Sequence, residues 1–386
     1  MSDRDVVAEI ATEQFGGKLG ALKALLDRSG IDMEDISRVQ KVNVWQGFMK
    51  NDEGEAEIVD LAGISLIPRW AEGPEWPVVQ QGPSIKLPVP KSPQPAPLDF
   101  QTCVVLPDMQ MGFFRTHAGL EATHDEAALA VAISITKAAK PSLVVLVGDN
   151  LDLPEMGKYR LSPAFAQTTQ ATIDRATTLC AEVRRAAPDA RIVWLAGNHE
   201  ERMPNYIMDN AMACFGLRKG NEPESWPVMS VPFLCRMDEY GIEYVPGYPA
   251  SEVWVNERLR VIHGDKVASN ASTAHKYLAT EKTSVIYGHI HRREWAERTR
   301  ADHDGPRTIM AASPGCLART DGAVPSTKQG LDLDGRPVVR HEDWQNGLAV
   351  VQFEPGDGRF VYEQVAVHRD NKVAWGFWRG KEYRSS

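Results

Sequence analysis

Five short apolar runs in this chain share one kind of ending. "VVLPDMQ" (104–110), "VVLVGDN" (144–150), "VWLAGNHE" (193–200), "LRVIHGD" (259–265) and "SVIYGHIH" (284–291) each pass from apolar residues into a carboxylate, amide or imidazole. Apolar runs this short, closed by turn residues, read as buried strands. In open α/β sheets, ligands collect at the carboxyl ends of the strands. Asp108, Asp149, Asn198, His199, His263, His289 and His291 are distant in sequence but are expected to share that one address. Alternate side chains of an extended chain point the same way. His289 and His291 are therefore expected to face a common spot just past the end of their strand.

The segments between these runs favour the same architecture. "HDEAALAVAISITKAAK", "SPAFAQTTQATIDRATTLCAEVRRAA" and "EERMPNYIMDNAMACFG" read as helices separating the first strands, which makes βαβ units around a largely parallel sheet. After Pro249 the pattern changes. "SEVWVNERLRVIHGD" reads as a hairpin turning at Asn256–Glu257, and "TSVIYGHIH", "PRTIMAASPG", "GLAVVQFEP" and "RFVYEQVAVH" read as further strands. This half looks more antiparallel and is expected to form a second sheet packed on the first. Residues 98–370 make up this large domain, with 371–386 as a C-terminal tail.

Ahead of it, residues 71–97 carry eight prolines in 27 positions, a composition that favours extended, semi-rigid chain. They read as a linker from a small module at 1–70. That module opens with a helical pattern on Leu22, Leu25 and Leu26, stopped by Gly30, and "IDMEDISRV" reads as a second short helix capped by Asp32. "KVNVWQGFMKNDEGEAEIVDLAGISLI" then reads as a hairpin turning near Asn51–Gly54. Helices followed by a hairpin suggest a winged-helix-like nucleic-acid reader. Residues 1–97, however, hold 10 Lys+Arg against 15 Asp+Glu, which favours a protein-contact or oligomerisation module.

Charge and cysteine content narrow the function classes. A net charge of −9 argues against a general nucleic-acid coat or an anionic-membrane binder, though not against an enzyme with one local cationic site. The five cysteines are scattered, with no C-x-x-C pair, so neither a disulfide framework nor a thiolate zinc site is indicated. The amino-terminal residues "MSDRDVVAEIATEQF" lack an apolar signal-peptide core, and no apolar run approaches the roughly 20 residues that span a bilayer. The expected location is the cytoplasm, with no membrane partner.

Carboxylate, amide oxygen and imidazole together suit Mn²⁺, Fe²⁺, Zn²⁺ or Mg²⁺. One carboxylate can bridge two such ions, and two ions about 3.5–4 Å apart can activate water and neutralise a phosphoryl group. The ordered series Asp108-Met109-Gln110, Gly148-Asp149-Asn150-Leu151-Asp152, Gly197-Asn198-His199-Glu200, His263-Gly264-Asp265 and Gly288-His289-Ile290-His291 resembles the calcineurin-like metallophosphoesterase superfamily of bacterial and phage type. "SPGCL" at 313–317 is similar to a further element that often follows in that family. The resemblance covers about residues 99–368. It implies a four-layer α/β/β/α sandwich, two mixed sheets flanked by helices, to which this chain adds its small N-terminal helix-plus-hairpin module.

The resemblance also implies roles. Asp108 and His291 would bind a first metal, Asp149 would bridge, and Asn198, His263 and His289 would bind a second. His199 would stand outside the ligand set and protonate the leaving oxygen. Asp152 and Glu200 would orient imidazoles or cap the helix after "GNHE". Gln110 departs from the family, which usually has histidine there. As a neutral amide it would weaken the first site and lean it toward Mn²⁺ or Mg²⁺, or would make no metal bond, leaving water or His117 to fill the gap. Arg202, Arg292 and Arg293 are either phosphate contacts or a solvated face. His117, His124 and His275 otherwise read as surface or packing histidines.

The expected function is a metal-dependent phosphoric ester hydrolase with two divalent ions, Mn²⁺ foremost. A metal-bound hydroxide would attack a phosphodiester, with DNA or RNA as the first-choice substrate. The alternatives are a phosphodiesterase or phosphatase for small nucleotides or phosphoproteins, and a non-catalytic assembly subunit.

Overall fold

The computed structural model describes residues 30, 36–50, 54–68, 100–158, 161–303, 305–325, 332–333, 338 and 340–385. The chain separates into two compact units, Met1–Gly82 and Pro83–Ser386. In the first, β1 (Ile36–Lys50) and β2 (Ala56–Pro68) pair antiparallel with Lys50 opposite Ala56; of the turn expected near Asn51–Gly54, residues 51–53 lie outside the described residues. The helix expected over 31–39 is overturned from Ile36 onward, because those residues begin β1. Isoleucine and valine, branched at Cβ, favour a strand over a helix. The first helix expected in this module and the proline-rich segment lie outside the described residues.

The second unit holds two mixed sheets. Its strands are β3 (Gln101–Leu106), β4 (Phe113–Thr116), β5 (Gly119–Ala122), β6 (Leu143–Leu146), β7 (Arg191–Leu195), β8 (Ile242–Val245), β9 (Glu252–Asn256) and β10 (Leu259–Ile262). They continue with β11 (Ser284–Tyr287), β12 (Arg293–Asp302), β13 (Gly305–Pro314), β14 (Gly347–Phe353), β15 (Phe360–Asp370), β16 (Val373–Trp378) and β17 (Lys381–Arg384). The helices are α1 (Glu126–Ala139), α2 (Thr169–Ala186), α3 (Arg202–Asn210), α4 (Val231–Leu234) and α5 (Thr273–Thr280).

The larger sheet runs β17-β16-β15-β14-β3-β6-β7-β8, and the smaller β12-β13-β11-β10-β9. The β3, β6, β7 and β8 block is parallel, as are the β10/β11 and β11/β13 pairs. Parallel strands are stable where both faces are covered, and three apolar clusters supply the cover. One lies between the larger sheet and helices α1–α3, with Leu106, Leu146 and Trp194 against Leu129, Ile135, Leu179 and Met203. A second joins the two sheets through Val105, Val145 and Val193 on one side and Val253, Val261 and Ile286 on the other. The third sets α5, through Ala274, Tyr277 and Leu278, against Val285, Tyr287 and Ile309 of the smaller sheet.

Local chemistry fixes the helix ends. Asp125 caps α1 by accepting from the Ala128 amide at 2.9 Å, and Lys140 closes the helix in the left-handed conformation. The strand assignments need two corrections. The later strands do not all form the second sheet: β14 returns to pair antiparallel with β3, and β15 follows it into the larger sheet. The stretch 371–386, expected as a tail, supplies β16 and β17 at that sheet's edge, with Ala374 and Trp378 buried against the α1 side. The strand β12 also goes unforeseen, because "REWAERTRAD" is rich in charge; it is the smaller sheet's edge, where charged side chains reach water.

Trp378 is a direct test of the last strands. It is 5% exposed, and its indole nitrogen donates to Glu363 at 3.0 Å. Trp378→Ala is expected to lower the unfolding free energy by about 3–5 kcal/mol, read by urea denaturation.

Candidate metal centre

The five motifs converge beyond the carboxyl ends of β3, β6, β7, β10 and β11. Asp149 belongs to two groups of ligand-type side chains whose atoms lie within 4.8 Å of one another: Asp149, His263 and His289, and Asp108, Asp149 and His291. Either group could hold a metal ion, and they meet at one carboxylate. Asn198 lies with the first group, its Oδ1 2.9 Å from His289 Nδ1 and 3.1 Å from His263 Nε2. His263 Nδ1 lies 3.0 Å from the Val147 carbonyl, an arrangement that leaves Nε2 to face Asp149 Oδ1 at 3.4 Å.

Backbone shape explains the convergence. Asp108, Gln110, Asp149, His289 and His291 all take positive φ, at 33°, 49°, 49°, 68° and 57°. Side-chain-bearing residues seldom adopt this region, and such positions cluster at functional sites. The extended alternation expected for His289 and His291 is therefore corrected. The strand β11 stops at Tyr287, and left-handed turns send the two imidazoles to opposite groups. Gly288 and Gly197 permit the crowding: a Cβ on either would lie 2.3 Å from a carboxylate oxygen, of Asp108 and Asp149 respectively.

Glu200 sets this shape. It is 1% exposed and accepts five N–H groups. One oxygen takes the amides of Asp149 and Gly197, each at 2.8 Å; the other takes those of Asn150 at 2.9 Å and Leu151 at 3.3 Å, and the Trp194 indole at 3.2 Å. Burial and the Asp149 charge push its carboxyl up from the ordinary value. Its hydrogen bonds are to the loop carrying Asp149, to Gly197 and to the Trp194 indole rather than to an imidazole. Burial by itself would raise the Asp149 carboxyl too, but His199 and His263 hold it well below the usual range. Burial pulls the His263 imidazole down, and the neighbouring Asp149 carries it up to about 9. His289 is lowered, by burial and then by His263.

Two oxygens in the centre suit a cation. Asp108 Oδ2 and Gln110 Oε1 are buried without a hydrogen-bond partner, a costly condition for polar atoms. Gln110 turns its amide nitrogen, rather than its oxygen, toward Asp149 Oδ2 at 3.2 Å and His291 Nε2 at 3.3 Å. His117, the other group weighed for that position, is exposed in the turn between β4 and β5. His124 is a packing histidine, edge-on to Phe113 and 2.7 Å from Glu126, and His275 is exposed on α5. "SPGCL" packs under the centre, the Leu317 amide donating to the Asp108 carbonyl at 3.1 Å.

Arg292 and Arg202 are engaged within the protein, whereas the buried Nε of Arg293 has no hydrogen-bond partner. Arg292 donates to the Ala268 carbonyl and to Glu294, at 2.7 and 3.2 Å. Arg293 lies along its aliphatic stem against Gly315 and Gly347. Arg202 contacts Asp152 and His199. Two aromatic neighbours are absent from the sequence reading. Trp344 stands edge-on to His291 at 4.1 Å between ring centres, and Tyr248 edge-on to His263 at 5.5 Å. Both lie in irregular loops with no periodicity to mark them.

Among the described residues no helix is long and apolar enough to cross a membrane. No protein-family model and no curated protein matches the sequence. Among solved structures the chain is similar to Vps29 of Chaetomium thermophilum, at 11% identity over 70% of this chain and 98% of that one, with a TM-score of 0.25. A likeness that slight shows nothing of function.

The shared carboxylate predicts an asymmetry in metal content. Asp149→Ala is expected to abolish tight Mn²⁺ binding altogether, whereas His291→Ala should leave the group of Asp149, His263 and His289 able to bind, as read by elemental analysis after dialysis. Glu200→Gln sets an amide NH₂ against N–H donors. It is expected to cost on the order of 2–4 kcal/mol in urea denaturation, with metal content falling in parallel.

Proposed function

We propose that this protein is a metal-dependent phosphoesterase acting on phosphodiesters, built as the four-layer sandwich of the calcineurin-like metallophosphoesterases. The observation that carries the reading is Asp149, one buried carboxylate shared by two groups of candidate ligands, with the imidazole of His199 beside it in neither group. Asp108 and His291, and His263, His289 and Asn198, would hold one divalent ion each. The donors are oxygen and imidazole nitrogen without thiolate, a set that suits Mn²⁺ or Mg²⁺. When bound, such a pair supplies Lewis-acid stabilisation of phosphoryl charge and makes water a better nucleophile near neutral pH.

The protein's own residues do the rest. The buried carboxylates of Asp108 and Asp149 gather negative charge at the centre, where a bound cation would help to balance it. The left-handed backbone at five of these positions holds the donors in place before any ligand arrives, which reduces the reorganisation needed during reaction. His199 has its Nδ1 2.9 Å from Asp152 Oδ1 and its Nε2 3.6 Å from Asp149 Oδ2. It stands beside the shared carboxylate, where it would protonate the departing oxygen. Nucleic acid is the proposed polymer substrate; small nucleotides are the alternative that the acidic charge favours.

Hydrolysis of bis(p-nitrophenyl) phosphate is expected to require added Mn²⁺. His199→Ala should lower kcat about 10²- to 10⁴-fold with metal content kept. Turnover indifferent to both changes would remove the reading. Labelled single- and double-stranded DNA and RNA, set against cyclic nucleotides under one metal condition, separate polymer from small-molecule hydrolysis.

A further inference from the structure

From the end of α3 the chain runs along the surface toward α4, and residues 208 to 224 are exposed without a break. Such a stretch is ordinarily polar. This one is rich in large apolar side chains: Tyr206, Met208, Met212, Phe215, Leu217 and Met229 are 41–64% exposed. The helix that leads into it has two characters. Met203 and Ile207, four residues apart, sit in the core under the larger sheet, while Tyr206 and Met208 stay in solvent.

The arm is nonetheless ordered by its own hydrogen bonds. The Ala211 amide donates to the Ile207 carbonyl at 2.8 Å and ends α3. The amides of Cys214 and Phe215 then donate to the carbonyls of Ala211 and Met212 at 2.7 and 3.1 Å, making one further turn. The Val228 amide returns to the Leu217 carbonyl at 2.8 Å, and Arg218 donates to the Ser225 carbonyl. The apolar side chains are therefore held out on a fixed backbone.

Their area matches that of an interface. Taking roughly 200 Å² for a large apolar side chain, six at about half exposure leave about 600 Å² open to water. Monomeric proteins rarely expose an apolar patch above a few hundred Å². A stable pair covers about 800 Å² on each partner, somewhat over half of it apolar. Charge indicates the partner. The arm carries Asp209, Glu222 and Glu224 with Arg218 and Lys219 among them, so both signs are present on one surface. Such a surface complements a copy of itself about a two-fold axis, where each contact is made twice. An anionic membrane fits less well, because both cations are engaged: Arg218 by the Ser225 carbonyl and Lys219 by Glu222 at 3.5 Å.

We propose that this arm is the interface of a homodimer, in which it packs on the same arm of a second copy. Each copy then covers the Met212, Phe215 and Leu217 side chains of the other. The dimer does not depend on what the candidate centre binds or catalyses.

Sedimentation equilibrium of the full-length protein, at micromolar concentration, is expected to give twice the mass of the chain. Met212→Glu, Phe215→Glu and Leu217→Glu each place a charge among apolar groups, and each should raise the dissociation constant about 10- to 100-fold. Val361→Glu, at an apolar position of β15 that is 60% exposed, should leave the dimer intact. Hydrogen exchange of the native protein provides a reading that needs no variant. Amides of residues 212–217 are expected to exchange faster on dilution below the dissociation constant, while those of β3 do not. A monomeric native protein would overturn the proposal. So would a dimer that withstands all three arm substitutions, or arm amides whose exchange is indifferent to concentration.

Discussion

The candidate centre depends on one buried carboxylate that binds no metal in any reading of it. Glu200 gathers five N–H groups from the loops after β6 and β7 and from the Trp194 indole. Each would otherwise be a buried donor without a partner, a condition worth about 1–3 kcal/mol apiece. Two separate loops are thereby tied to one anchor. With them locked, Asp149 is held in its left-handed conformation, and its Oδ1 accepts the His199 amide at 2.8 Å. The geometry of the ligands thus follows from hydrogen bonding one layer beneath them.

That layer was only partly legible. The strand-end motifs announce themselves because an apolar run ending in Asp, Asn or His breaks the expected polarity pattern, and "VVLVGDN" and "VWLAGNHE" do so plainly. Buried strands are also legible where both faces are apolar, as in β3, β6 and β11. What Glu200 does was not legible. A glutamate after "GNH" reads equally well as a helix-start residue, and only the folded chain shows which amides point at it.

The misreadings share a physical cause. Periodicity reports burial, so segments stabilised by something else are mistaken. The strand β12 is an exposed, charged edge, and β16 and β17 follow a turn in a stretch whose sequence reads as a tail. The alternation expected of His289 and His291 is a strand rule that holds only as far as Tyr287. Left-handed residues with side chains carry no compositional mark, and the strained backbone that shapes the centre is therefore the part hardest to foresee.

The pairing of β3 with β14 bears on how the protein is made. Val105 meets Ala349 across that ladder, so the strand that delivers Asp108 lacks its antiparallel neighbour until about 240 further residues have been made (349 − 105 = 244). Contacts so remote along the chain slow folding and leave apolar strands uncovered in the interim. A nascent chain stalled before Gly347 would present the apolar flank of β3 to whatever it encounters. Synthesis and maturation of this protein are thus bound to its carboxyl-terminal strands, far from the chemistry they make possible.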